Sequence, residues 1–208
     1  MKMPQTLKPN DKVAIVATAR NASKEDLKPA IELLKKWELQ PVIGSSIGLK
    51  EHQFAGSDEQ RAQDLQEQLN DPEIKAIWCA KGGYGTVRIL DRIDFSAFKK
   101  NPKWVIGYSD VTALHSHTNN FEIASLHAQM CLGVATKSEA SRETLRKILF
   151  GEELNYQFPS SKLNKAGTAE GELVGGNLSV LYSLCGSNSA INTKGKILFL
   201  EDLDEYLY

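Results

Sequence analysis

Cysteine is scarce in this chain, with Cys79, Cys131 and Cys185 the only three. They are odd in number, far apart and set in apolar surroundings such as IWCA and MCLG, which excludes a disulfide framework and offers no metal-ligand spacing. They read as small buried hydrophobes in a reducing compartment. An excess of charge is also lacking. Twenty-five basic against twenty-six acidic residues leave a net charge of -1, so no summed field draws in nucleic acid, an anionic membrane or a polyanionic substrate. Long hydrophobic runs are missing too: nowhere do about eighteen apolar residues stand together. The N-terminus, MKMPQTLKPNDK, is polar where a signal peptide needs an apolar run. These absences predict a cytoplasmic protein whose function resides in a local site. What remains is 208 residues, 41% apolar and 25% charged, an ordinary globular composition with room for one generous α/β domain and part of another.

Period and punctuation give the organisation. KVAIVAT, residues 12 to 18, is a β-branched run suited to a strand buried on both faces. A helix follows, opened by Ser23 with Asp26 three residues on and carrying Leu27, Ala30, Ile31 and Leu34 at helical spacing. The unit repeats, with a strand near Pro41 to Ile43, a helix capped by Ser57 and Gln60, and a strand at Ile74 to Ala80. After KGGYG come a short helix through Val87 and Leu90, a strand from Lys103 to Gly107, a helix from about Asp110, and a strand between Ile123 and Leu126. Ser138 to Phe150 is helical, with Gly151 placed to terminate it. Strands alternating with helices predict an α/β domain over residues 1–155, with a mostly parallel, flavodoxin-like sheet covered by helices. Residues 156–169 are polar and read as a linker. Residues 170–208 read as the start of a β-rich C-terminal domain, too short to close a core, which suggests the front part of a longer protein.

Several constellations could carry chemistry. WVIGYSDVTALH places a buried strand directly before a helix start that holds Ser109 and Asp110. At such a strand-to-helix elbow a serine hydroxyl stands clear of the sheet edge, and the unpaired amides of the helix start can stabilise an oxyanion. Either residue could equally be a simple helix cap. Lys81-Gly82-Gly83-Tyr84-Gly85 follows its own strand at the same carboxyl edge, where ligands of open parallel sheets bind. Its glycines allow backbone amides to approach an anion, although the pattern is neither a dinucleotide fingerprint nor a P-loop. Gly175-Gly176-Asn177 reads as a turn whose Asn caps a helix or meets a ligand. LFLEDLDE ends a strand, Lys196 to Leu200, in four carboxylates, whose default reading is a solvated loop. His115 and His117, two apart on one helix, face different ways and away from the elbow, and His127 falls at a strand end.

Together these motifs resemble the LD-carboxypeptidase family of serine peptidases, which includes murein tetrapeptide carboxypeptidases and microcin-immunity peptidases. The resemblance runs through LKPNDKVAIVA, CAKGGYGTVRILDRIDF, WVIGYSDVTALH, GELVGGNLSVL and GKILFLEDLDE in the family's order. It implies a Ser-His-Glu triad cleaving an L,D-peptide bond, with no metal and no organic cofactor. The nucleophile maps to Ser109 and the triad acid to Glu201, with Glu205 the fallback. The oxyanion and substrate contacts map to Asp110, Gly82, Gly83, Tyr84 and Asn177, with the amides of Asp110 and Gly83 receiving the oxyanion. The family's histidine lies beyond Tyr208, so this chain by itself is expected to be nearly inert. Smaller departures are Asn10, where the family usually has Gly, and Ala17-Thr18-Ala19-Arg20, where it favours a Pro-Ser turn.

The resulting expectation is a serine carboxypeptidase that releases a C-terminal D-amino acid, D-Ala, from peptidoglycan-derived tetrapeptides during cell-wall recycling. Its partner is then a peptide, with neither nucleic acid nor membrane involved, and the family suggests a homodimer. Two alternatives stand beside it: a microcin-type immunity peptidase acting on a peptide-nucleotide, and a non-catalytic α/β module that holds a small anion at the GGYG and GYSD edge.

Overall fold

The computed structural model describes residues 1–203. Five strands form one sheet: β1 (Lys12–Val16), β2 (Gln40–Ile43), β3 (Ile74–Cys79), β4 (Trp104–Gly107) and β5 (Leu126–His127). Their order is β2-β1-β3-β4-β5 with every neighbouring pair parallel, the flavodoxin-like arrangement. The order reverses between β1 and β3, so the loops leaving these two strands open the crevice where such sheets bind ligands.

The sheet is buried on both faces because side chains alternate along each strand. On one face Ile15, Trp78 and Trp104 pack with Leu27, Leu34, Leu145 and Leu149. These last four come from around α1 (Lys28–Lys36) and α5 (Glu139–Leu149). On the other face Ile77, Cys79 and Val105 meet Leu65 and Leu69 of α2 (Asp58–Asn70), Phe98 of α3 (Ser96–Lys100) and Leu114 of α4 (Thr112–Asn119). The buried indoles keep their N–H groups satisfied, Trp78 donating to the Gln129 carbonyl at 2.7 Å and Trp104 to that of Gln5 at 3.0 Å.

Helix starts follow their local chemistry. Ser57 and Gln60 form the expected reciprocal capping box of α2. Ser23 and Asp26 also bond reciprocally, at 2.9 and 3.2 Å, but the regular helix begins only at Lys28, where Pro29 fits the first turn. The helix expected through Val87 and Leu90 is a 3-10 helix, Thr86–Arg92. The strand expected from Ile123 is shorter and later, Leu126–His127, and Ile123 itself makes only an isolated β-bridge, to Lys2.

No helix or strand occurs between Leu149 and Leu173. A parallel two-stranded ribbon then follows, β6 (Leu173–Asn177) and β7 (Ile197–Glu201), joined through α6 (Leu178–Ser183). The Gly175-Gly176-Asn177 turn is thereby corrected to strand. Gly175 pairs with Phe199, and a Cβ on Gly175 would stand 1.7 Å from the Phe199 carbonyl oxygen. The glycines are there for close backbone approach, at φ values of 138° and 143° that side chains disfavour. Among the described residues no helix is long and apolar enough to cross a membrane.

Candidate active site

β4 brings its buried WVIG run to the carboxyl edge and stops at Gly107, where a Cβ would meet Val111 at 2.8 Å. The absence of a side chain there lets the chain double back. Tyr108 is extended, with φ -153°, and Ser109 swings to φ 58°, a left-handed conformation uncommon for a residue other than glycine. Ser109 opens a 3-10 turn, Ser109–Val111, that runs into α4. The turn is pinned by the Val111 amide donating to the Tyr108 carbonyl at 3.2 Å. Ser109 is half-buried, its hydroxyl takes no partner among the described residues, and it lines a cavity of about 110 Å³.

That cavity collects most of the residues singled out in the sequence. Gly83, Tyr84, Ser109, Asp110 and Asn177 line it together with Val180, Asp202 and Leu203. Gly82 stands just behind: a Cβ on it would meet the Asp110 Cβ at 3.4 Å and the Asp110 amide nitrogen at 3.5 Å. The amides of Gly83 and Asp110 donate to no acceptor among the described residues. The loop carrying Gly83 is itself wound tightly, with φ 115° at Gly83 and 60° at Tyr84.

Asp110 does more than contribute an amide. Its carboxylate is buried, and its Oδ2 accepts from the Gly85 amide at 3.1 Å, the Thr86 amide at 3.0 Å and the Thr86 hydroxyl at 2.7 Å. Asn177 takes the capping role: its Oδ1 accepts from the Val180 amide at 3.1 Å and its Nδ2 donates to Asp202 at 3.0 Å. The Asn177 amide donates to Thr112 Oγ1 at 3.0 Å, which fastens the ribbon to the start of α4. A Cβ on Gly176 would stand 2.6 Å from the same Thr112 oxygen.

The carboxylates divide unequally. Asp202 faces the cavity, and the Ser179 hydroxyl, the Leu203 and Ser179 amides and Asn177 pull its carboxyl down to about 2. Glu201 does not line the cavity. Its Oε1 is buried without a hydrogen-bond partner among the described residues, 3.9 Å from His127 Nε2. Burial first, and the neighbouring Asp202 charge second, raise its carboxyl above the usual carboxylate range. Glu205 lies outside the described residues.

None of the four histidines lines the Ser109 cavity. His115 is buried, and its Nε2 donates to the Gly107 carbonyl at 2.9 Å, which leaves Nδ1 as an unpartnered acceptor. Burial pushes its pKa down to about 4. His117 bonds Ser189 at 2.8 Å and packs between Phe95 and Phe121. His127, opposite Gly107 in the β4–β5 register, packs against Phe199 and lines cavities that Ser109 does not. Among the described residues no group of three or more histidine, cysteine, aspartate or glutamate side chains could hold a metal ion.

Sequence reasoning passed over Asp202, Thr86, Thr112 and His127 as members or neighbours of this site. Asp202 sat in an acidic run whose members were not separable, and Thr86 and Thr112 carry no motif. His127 could be found only through the pairing of β5 with β4.

A family model for the LD-carboxypeptidase N-terminal domain matches residues 13–128, and one for the C-terminal domain matches residues 170–208. A probable murein peptide carboxypeptidase of Bacillus subtilis is 37% identical over 211 residues, covering 99% of this chain and 66% of that protein. The structure of a muramoyltetrapeptide carboxypeptidase from Oxalobacter formigenes superposes with a TM-score of 0.80 at 26% identity, over 93% of this chain and 66% of that one. The microcin C7 self-immunity protein MccF shares the fold, with a TM-score of 0.82 at 23% identity over 95% of this chain and 70% of that one. The chain spans about two thirds of the length of these relatives. With both family models matched in order and the sheet, elbow and Gly-rich loop in place, the chain belongs to the LD-carboxypeptidase family.

Proposed function

We propose that this chain carries the nucleophile and oxyanion site of a serine carboxypeptidase that hydrolyses an L,D-peptide bond and releases a C-terminal D-amino acid, D-Ala, from peptidoglycan-derived tetrapeptides. The observation that carries the reading is the Ser109 hydroxyl: without a hydrogen-bond partner among the described residues, set at φ 58° on the strand-to-helix elbow, and lining a cavity edged by the Gly-rich loop. The murein peptide named for the Bacillus subtilis relative supports the substrate class.

In this reading Ser109 Oγ attacks the scissile carbonyl and its proton passes to an imidazole. The oxyanion meets the amides of Asp110 and Gly83, which have no other acceptor among the described residues. Expulsion of the D-amino acid leaves an acyl-serine that water then hydrolyses. Glu201, whose buried Oε1 has no hydrogen-bond partner among the described residues, orients the imidazole. His115 is held by the Gly107 carbonyl, His117 by Ser189, and His127 faces Glu201 from outside the Ser109 cavity. By resemblance to the family the base is a histidine beyond Tyr208, and without it this chain by itself is nearly inert. Recycled wall peptides are the natural supply of such a substrate, in the cytoplasm.

The test is release of D-Ala from an L-Lys-D-Ala or meso-diaminopimelate-D-Ala tetrapeptide by the protein of the complete reading frame, with Ser109→Ala alongside. Release by wild type alone supports the reading; equal release by both overturns the nucleophile. Cleavage of an aminoacyl sulfamoyl nucleotide in place of the tetrapeptide would favour the immunity-type activity. Hydrolysis of neither, with a small anion bound, would favour the non-catalytic module.

A further inference from the structure

We propose that the Asp110 carboxylate is the positioning group that sets the oxyanion amides: it locks the Gly-rich loop to the nucleophile elbow through Thr86 and Thr18. This rests on the reading of Ser109 as nucleophile and goes beyond it, because it gives a role to a side chain that does not touch the reacting atoms.

Three donors converge on one oxygen of this carboxylate: the consecutive amides of Gly85 and Thr86 and the Thr86 hydroxyl. No lysine, arginine or histidine among the described residues forms an ion pair with it. Asp110 is 3% exposed and Thr86 is fully buried. An unpaired carboxylate is expensive to bury, and donors directed at it offset that cost only while they stay in place. The arrangement uses two backbone amides as an anion nest for a ligand that belongs to the protein itself.

The network continues inward. The Thr86 and Thr18 hydroxyls are 2.7 Å apart, and the buried Arg61 guanidinium donates to the Thr18 carbonyl at 3.1 Å and the Gly56 carbonyl at 2.6 Å. A Cβ on Gly85 would stand 2.8 Å from Ala19 Cα, so the loop is clamped between the chain leaving β1 and the elbow. Each of the two segments joined by the carboxylate holds a left-handed residue other than glycine, Tyr84 at φ 60° and Ser109 at φ 58°. Such conformations persist only where surrounding bonds over-determine them. The Asp110 carboxylate supplies those bonds one residue from the nucleophile and one residue from Tyr84. Catalysis then depends on the Thr86–Asp110 bond through the placement of the Gly83 and Asp110 amides, and ground-state peptide binding does not.

The experiment compares Thr86→Val, Thr86→Ser, Asp110→Asn and Ser109→Ala in the protein of the complete reading frame. Thr86→Val and Asp110→Asn should lower kcat roughly 10- to 100-fold with KM within about twofold, less than the roughly 100- to 1,000-fold cost of removing an oxyanion donor outright. Thr86→Ser keeps the hydroxyl and should restore kcat. Affinity for a peptide boronate, which mimics the tetrahedral oxyanion, should fall in step with kcat, while affinity for the tripeptide product stays unchanged. An unchanged kcat in Thr86→Val with only a lowered melting temperature would overturn the proposal, as would parallel weakening of boronate and product. An inactive wild type, or an active Ser109→Ala, would instead remove the nucleophile reading on which the proposal rests.

Discussion

The sheet domain and the ribbon after residue 170 obey different rules. The five-stranded sheet buries both faces, with Ile15, Ile77, Trp78 and Val105 all fully sequestered. The ribbon leaves Leu173 65% exposed and Leu198, Phe199 and Leu200 each more than 40% exposed. An isolated two-stranded ribbon is marginal in water. This one is held by Val180 and Leu184 between its strands, which join the buried cluster on one face of the sheet, and by polar fastenings to α4 and the residue after it. The Asn177 amide meets Thr112, Ser116 and His117 meet Ser189, and Asn120 donates to the Asn188 and Ala190 carbonyls at 3.1 Å each. Lys196 and Glu172 pair at 2.7 Å, with Asn119 bonded to the same carboxylate oxygen at 3.0 Å. The apolar sheet thus supplies rigidity, and a small apolar contact together with hydrogen bonds supplies placement. The cavity at Ser109 lies where the two regions meet, one wall from each.

The comparison can be broken at several points. The largest effect is expected at the junction itself: Ser109→Ala in the protein of the complete reading frame should reduce tetrapeptide turnover by roughly 1,000-fold or more, measured as D-Ala released, with an unchanged melting temperature. Next comes the core against the ribbon. Leu65→Ala, at a fully buried position, should cost about 2–5 kcal/mol in urea unfolding. Leu198→Ala should stay within about 0.5 kcal/mol, and equal losses would abolish the distinction drawn between the two regions.

The third effect is a pH dependence. His115, buried on the Gly107 carbonyl, has a pKa lowered from 6.5 to about 4. The unfolded chain therefore binds the proton more readily, and stability contributed by the neutral imidazole is complete above about pH 6.5 and is lost as pH falls toward 4. The loss should amount to about 3 kcal/mol. Urea melts between pH 7 and pH 4.5 should show that slope in wild type and a flatter one in His115→Gln. Smaller again is the ribbon's attachment: Asn120→Ala removes two hydrogen bonds to carbonyls and should cost about 1 kcal/mol. Its signature is faster amide exchange in β6 and α6 while β1 and β3 keep their protection.

Much of the sheet was legible because its signals are local. β-branched runs marked β1, β3 and β4, and Ser57 with Gln60 marked the start of α2. The serine elbow was legible as strand, glycine and serine in succession. The errors arose where one local signal serves two structures. Ser23 and Asp26 made their expected bonds, yet the helix waited for Pro29. Gly175 and Gly176 look alike in a turn and in a strand pressed against a neighbour, and only Phe199 and Thr112 decided between them.

The sequence by itself determined the alternation of strands and helices, the positions of the glycine-rich loop and the serine elbow, and the balance of charge, because these depend on residues close together along the chain. The tertiary structure alone decided that the Asp110 carboxylate joins that loop to that elbow across 24 and 25 positions. It also decided that Asn177 and Asp202 wall the same cavity and that Glu201 faces His127. Those pairings depend on strand order and on which face each side chain takes, and neither is written in any single stretch of sequence.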